Sequence, residues 1–189
     1  MYDGSMSAHT SSVREMHETD DDLRALQQLL DASHGDATDH LRDIITDDRR
    51  LTARDVVGLM TGMKVLSLAT TTAAGEPRVS AVDGHFLRGT WSFSTSGTAA
   101  KARHLAARPA CSVAHVDGER LAVFSHGHVT RYAADDPDFA PVHRHWCDHY
   151  GSDPLTWGDD IAFYRYRSTW MVGYAWKRAE VLAEAGLTP

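Results

Sequence analysis

Serines and threonines flanking a glycine, with a lysine one turn later, make Phe93 to Lys101 the stretch best suited to binding chemistry. Trp91 and Phe93 alternate with Ser92 and Ser94, the period of a strand. Gly97 breaks the run, and Thr98 stands where an N-cap belongs, before the alanine-rich, helix-favouring segment Ala99 to Ala107. A strand that turns through Ser94, Thr95, Ser96 and Gly97 into a helix start aims free N–H groups and the positive end of the dipole into the turn. Lys101 adds a full positive charge at a helix end where the dipole alone favours an acid. The pattern points to an anion. A capped surface helix with a solvated lysine is the plainer alternative.

Other residues with chemical capacity are easier to absorb. In His143-Arg-His-Trp-Cys-Asp-His149, His145 and His149 lie four apart and share a helix face that could hold a metal. Cys147 points elsewhere on that helix, so a polar helix face is the expectation and no metal site is assigned. His126-Gly-His128 puts two imidazoles on one face of a strand, as a partly exposed rim would. Cys111 lies in an apolar strand and reads as a small packed hydrophobe. Trp146, Trp157, Trp170 and Trp176 suit a core or a dimer contact better than a stacking platform.

The elements that must position these residues fit one domain with an appended arm, in a chain of 189 residues. A net charge of −7 argues against a nucleic-acid partner. Two cysteines give no disulfide framework and suit a reducing cytoplasm. No apolar run has the length of a membrane span, and the polar, acidic start is unlike a signal peptide. A cytoplasmic protein is expected.

Residues 1–19 are polar and read as a disordered tail. Residues 20–62 read as a helical arm. Asp20 to Asp22 cap a helix carrying Leu23, Leu26, Leu29 and Leu30, a second helix spans about Asp39 to Ile45, and Thr52-Ala-Arg-Asp55 has the form of a capping box. Residues 63–189 change period to that of strands: Met63 to Thr71, Arg78 to Asp83, Trp91 to Ser94, Ala110 to Val116, Arg120 to Tyr132 and Ile161 to Trp176. Helices are expected over Asp135 to Tyr150 and Arg178 to Ala185. About six strands with one helix after the third predict an α+β fold, an antiparallel barrel with an N-terminal helical arm and peripheral helices.

Gly75-Glu-Pro-Arg-Val-Ser-Ala-Val82, Trp91-Ser-Phe-Ser-Thr95, Lys101-Ala-Arg-His-Leu105 and Arg108-Pro-Ala-Cys-Ser-Val113 together resemble the pyridoxamine 5′-phosphate oxidase-like family. The resemblance covers roughly residues 63–132. It implies a split β-barrel that binds FMN or the deazaflavin F420, as a homodimer whose second subunit helps complete the site. The aromatic-rich strand near Trp170 suits such an interface. It further implies that Arg78, Val79, Ser80, Ala81 and Val82 run beside the ring. Ser94, Thr95 and Ser96 would reach the phosphate tail, with Lys101 on the phosphate, and the anion site read independently at Thr98 falls on the same stretch.

Two departures bear on activity. The oxidases proper carry a lysine five residues after the arginine matched by Arg78, and here that position is Asp83. A carboxylate there would repel a phosphate by a few kcal/mol. The closing Arg-Leu-x-Pro of the oxidases is replaced by Gly186-Leu-Thr-Pro. Both weigh against oxidation of pyridoxamine phosphate itself and leave open the wider family, including reductases that use F420. The function expected is hydride transfer between FMN or F420 and a small organic substrate. The cofactor would do the chemistry, and no catalytic side chain is assigned. A barrel that holds haem or another planar ligand without turning it over is the rival, with His126 or His128 as axial ligand in the haem case.

Overall fold

The structure, a computed structural model, describes residues 18–188. The expected tail therefore lies outside the described residues except for Glu18 and Thr19. Three helices come first: α1 (Asp20–Gly35), α2 (Asp39–Ile44) and α3 (Ala53–Leu59). The strands are β1 (Met63–Thr71), β2 (Pro77–Leu87), β3 (Thr90–Ser96), β4 (Ala110–Asp117), β5 (Leu121–Arg131) and β6 (Ile161–Ala175). Helix α4 (Ala100–Ala107) follows β3, α5 (Phe139–Tyr150) follows β5, and α6 (Arg178–Glu184) follows β6.

The six strands close as β1-β2-β3-β6-β5-β4, every ladder antiparallel. The expected α+β split barrel of six strands is what the chain forms. Its interior follows from alternation: Leu66 and Leu68 of β1 meet Val82 and Ser80 of β2, and Val113 of β4 faces the same core. The β5–β6 ladder is the longest and is offset between His126 and Gly127. A Cβ at Gly127 would overlap the Arg167 carbonyl, so the bulge needs glycine there.

The arm is tied to the barrel in three ways. Leu23, Leu26 and Leu30 of α1 join the barrel's hydrophobic core. The Ser33 hydroxyl accepts from the Met171 amide at 2.9 Å. Buried Asp55 closes the expected capping box with Thr52 and also takes the Arg178 guanidinium at 2.7 Å, joining α3 to α6. The α1 cap differs from expectation: Thr19 is the N-cap, and Asp22 completes its capping box from the third helical position. Helix α5 is shorter than Asp135 to Tyr150. Pro137 disfavours helix at the residue before it, and Asp136 and Asp138 are instead drawn to Arg165 of β6.

Candidate functional site

The barrel has a gap, and the chain's register explains it. Strand β3 pairs with β2 only from Gly84↔Phe93 to Leu87↔Thr90, four residue pairs. Beyond Phe93 it stays on β6, with Ser94↔Phe163, Thr95↔Ala162 and Ser96↔Ile161. The first half of β2, residues 77–83, pairs with β1 on one edge and has no ladder to β3 on the other. A mouth therefore opens between residues 78–83 and residues 94–98, the two segments expected to carry the site.

Helix α4 closes one side of this mouth. Ala102 and Leu105 are its buried face, the His104 Nδ1 lies 3.0 Å from the Thr70 hydroxyl, and Arg108 donates to the Thr71 carbonyl at 2.9 Å. So anchored on β1, the helix sends Lys101 across to β2, where Nζ donates to the Ala81 carbonyl at 2.8 Å. That bond occupies one of three ammonium donors. Lys101 has no ion pair among the described residues. Burial lowers its pKa from the ordinary lysine value, and the nearby Asp83 charge partly opposes that fall. An arriving anion would meet a partly desolvated cation with donors to spare.

The turn itself departs from expectation at one residue. Ala99, not Thr98, is the N-cap of α4, and no side chain caps the helix. The Thr98 hydroxyl lies 2.9 Å from the Ser96 hydroxyl, and the Thr98 amide donates to that same oxygen at 3.3 Å. The two hydroxyls are spent on each other, so the start of α4 keeps amides without a side-chain acceptor. Gly97 packs closely on the start of β6: its amide donates to the Asp160 carbonyl at 2.7 Å, and a Cβ there would force the Asp160 carboxylate to move. Arg131 pairs with that carboxylate at 2.9 Å.

Not every expected residue lines the mouth alike. Along β2, Ser80 and Val82 register with Leu68 and Leu66 on the inward face, while Val79, Ala81 and Asp83 face outward. Arg78 is held at the strand's end by Glu76, at 2.6 Å, instead of reaching toward Lys101. Asp83, the departure noted above, is exposed and its charge acts on both Lys101 and Tyr150.

A second polar group, unmarked in the sequence analysis, sits beside the mouth. His85, fully buried on β2, has Nδ1 3.0 Å from His145 Nε2 and Nε2 3.4 Å from the Tyr150 hydroxyl. Its ring lies 4.7 Å from that of His149. The histidines that share a face of α5 therefore meet a third imidazole. Burial first, then the His145 and His149 charges, press the His85 pKa down to about 3. Cys147 does point away from this pair, as expected, and lies by His143 and Asp153. Cys111 is buried, and burial pushes its thiol up to about 12, an inert packing residue. Trp146 is core, donating to the Ser92 hydroxyl at 3.2 Å.

On the outer face, register aligns Val79, Ala69, Ser112, His126 and Trp170 in one row across five strands. His126 is exposed, its ring stacked 4.7 Å from Trp170, and its Nδ1 is 2.8 Å from the Ser112 hydroxyl. No helix among the described residues is long and apolar enough to cross a membrane.

No family model and no curated protein matches the sequence. Solved structures do. HutZ, the heme storage protein from Vibrio cholerae, aligns with a TM-score of 0.57 at 20% identity, over 66% of this chain and 96% of that one. A candidate pyridoxamine 5′-phosphate oxidase from Listeria innocua aligns at 0.52 and 10% identity, over 63% and 95%. The protein Atu2129 from Agrobacterium tumefaciens, of unknown function, aligns at 0.52 and 21% identity, over 60% of this chain and 52% of its own length. The chain thus spans about half of that last relative. Identities this low establish a shared fold and nothing finer.

The low pKa of His85 gives a test of this geometry. The unfolded imidazole titrates near 6.5, whereas the folded one stays neutral down to about 3. Between those values the unfolded chain binds the extra proton, so stability is complete above pH 6.5 and falls as pH drops through the window. The slope from this one group reaches about 1.4 kcal/mol per pH unit. Urea unfolding at pH 7 and pH 5 should show a larger loss for the parent than for His85→Gln. Equal losses would contradict a buried neutral His85.

Proposed function

We propose, for a chain that carries the split barrel of the pyridoxamine 5′-phosphate oxidase-like proteins, that the mouth between β2 and β3 binds the phosphate tail of FMN or F420. The protein is then an oxidoreductase that passes a hydride between the cofactor ring and a small organic substrate. The observation that carries this is Lys101. It crosses from the uncapped start of α4 to the free edge of β2, bringing positive charge and N–H donors to one point. When bound, the cofactor supplies the hydride chemistry. The chain's own part is to hold the phosphate at Lys101, orient the ring along β2, and keep His85 neutral beside it. Asp83 removes a cation from the strand, which supports a role other than oxidation of pyridoxamine phosphate.

A second copy of the chain completes the site in this reading. Val65, Val79 and Val116 are 56%, 72% and 53% exposed, and all three point out from the β2–β1–β4 sheet. Apolar side chains exposed together on one sheet face suit an isologous dimer contact. Light scattering of cofactor-loaded protein should give a dimer, and Val65→Asp should give a monomer. A monomeric parent at micromolar concentration would contradict it.

Haem binding is the second reading, and His126 is what favours it. Ser112 engages Nδ1 and Trp170 fixes the ring, an arrangement that would orient Nε2 toward a metal. The two readings predict different sensitive residues. Under the first, Lys101→Ala weakens FMN or F420 binding by about ten- to a hundredfold, the worth of a charge-assisted contact. Riboflavin, which lacks the phosphate, should lose far less. His126→Ala should leave both titrations unchanged. If Lys101→Ala binds the intact cofactors as tightly as the parent, the anion-site reading fails and α4 is only a surface helix.

A further inference from the structure

The face of α5 turned away from His85 gathers a different set of donors. His143 and Cys147 are four residues apart, so they stand one above the other on the helix. Gly151 then ends α5 in the left-handed conformation, at φ 64°, and the chain doubles back to bring Asp153 against them. His143 Nε2 lies 2.7 Å from Asp153 Oδ1 and 3.6 Å from Cys147 Sγ. The three ligand atoms lie within 4.8 Å of one another.

Two features make this more than a hydrogen-bonded surface pair. The donors are held in place: the His143 ring rests 5.4 Å from Phe139 and 6.3 Å edge-on from Phe163, and the Leu155 amide fixes Asp153 Oδ1 at 2.9 Å. The convergence also excludes the obvious catalytic alternative. In a Cys-His-Asp relay the thiol and the carboxylate bond opposite ring nitrogens. Here both approach Nε2. One nitrogen, one sulfur and one oxygen within 4.8 Å of one another have the spacing of ligands that can gather around a cation.

We propose that His143, Cys147 and Asp153 form a binding site for a divalent cation of the zinc class, with one coordination position left open. The donor set of imidazole, thiolate and carboxylate selects zinc over the hard cations that prefer oxygen alone. A tetrahedral ion with the usual zinc–sulfur and zinc–nitrogen bonds sets those two donors about 3.6 Å apart. The observed separation is 3.6 Å. The same geometry puts nitrogen and oxygen donors about 3.3 Å apart, so the His143–Asp153 pair, now at 2.7 Å, must open by about 0.6 Å, with the Nε2 proton moving to Nδ1. The thiol proton is released to solvent, so charge balances. The bound ion ties the end of α5 to the connection leading into β6. That connection carries Asp160, which lines the mouth. This proposal does not depend on which cofactor the mouth takes.

Cobalt(II) serves as a spectroscopic stand-in for zinc on the full-length, reduced protein. The parent should show a thiolate-to-cobalt charge-transfer band that saturates at one equivalent and disappears on adding zinc. Cys147→Ser should abolish the band, and His143→Ala and Asp153→Asn should each weaken binding at least about a hundredfold, beyond what loss of an outer-shell partner costs. His145→Ala and His149→Ala should bind as the parent does. Zinc should raise the melting temperature of the parent and leave that of Cys147→Ser unchanged, which keeps the test valid if a variant is less stable. Absence of the band in the parent, or binding that follows His145 and His149 instead of Cys147, would overturn the site.

Discussion

Backbone N–H and C=O groups along the free edge of β2 must be satisfied by something other than a neighbouring strand. The β2–β3 ladder ends at Gly84↔Phe93, and β3 continues on β6 alone. This early parting organises the rest of the molecule. It lets α4 lodge against β1, and it brings Lys101 to the exposed Ala81 carbonyl. A fully zipped β2–β3 pair would have no mouth and would leave Lys101 on the outside of a closed sheet.

The electrostatics of the gap follow from what surrounds it. A partly buried ammonium without a paired carboxylate is costly in isolation, and Asp83 relieves that cost only in part. Burial likewise keeps His85 uncharged, so this fully buried imidazole, with both ring nitrogens engaged by α5, adds no cation near the gap. The positive character of the site is therefore concentrated at Lys101 and the start of α4. That concentration suits a ligand with a small anionic group and a large uncharged body.

Much of this was legible in the sequence because it is local. Alternation marked all six strands, and Gly97 with its flanking hydroxyls marked the turn. The N-cap falls one residue beyond Thr98 because Thr98 bonds Ser96 rather than the helix, a competition that spacing does not reveal. Helix α5 starts later than the local pattern suggests because the clamp on Asp136 and Asp138 comes from Arg165, far along the chain. His85 carries no local signal for the same reason, since its partners lie about sixty residues away. The His143–Cys147 spacing was visible, but Asp153 joins them only through the left-handed reversal at Gly151. Arg78 matched a motif and yet is tied to its neighbour Glu76.

The central claim is that the mouth at Lys101 holds a phosphate-bearing flavin or deazaflavin. The visible absorption spectrum of protein purified from a host that makes FMN, F420 and haem tests it most directly. The account predicts a flavin or deazaflavin band that stays with the protein through gel filtration, near one equivalent per chain. A haem Soret band alone, or protein that emerges colourless and binds neither FMN nor F420 on addition, would contradict it.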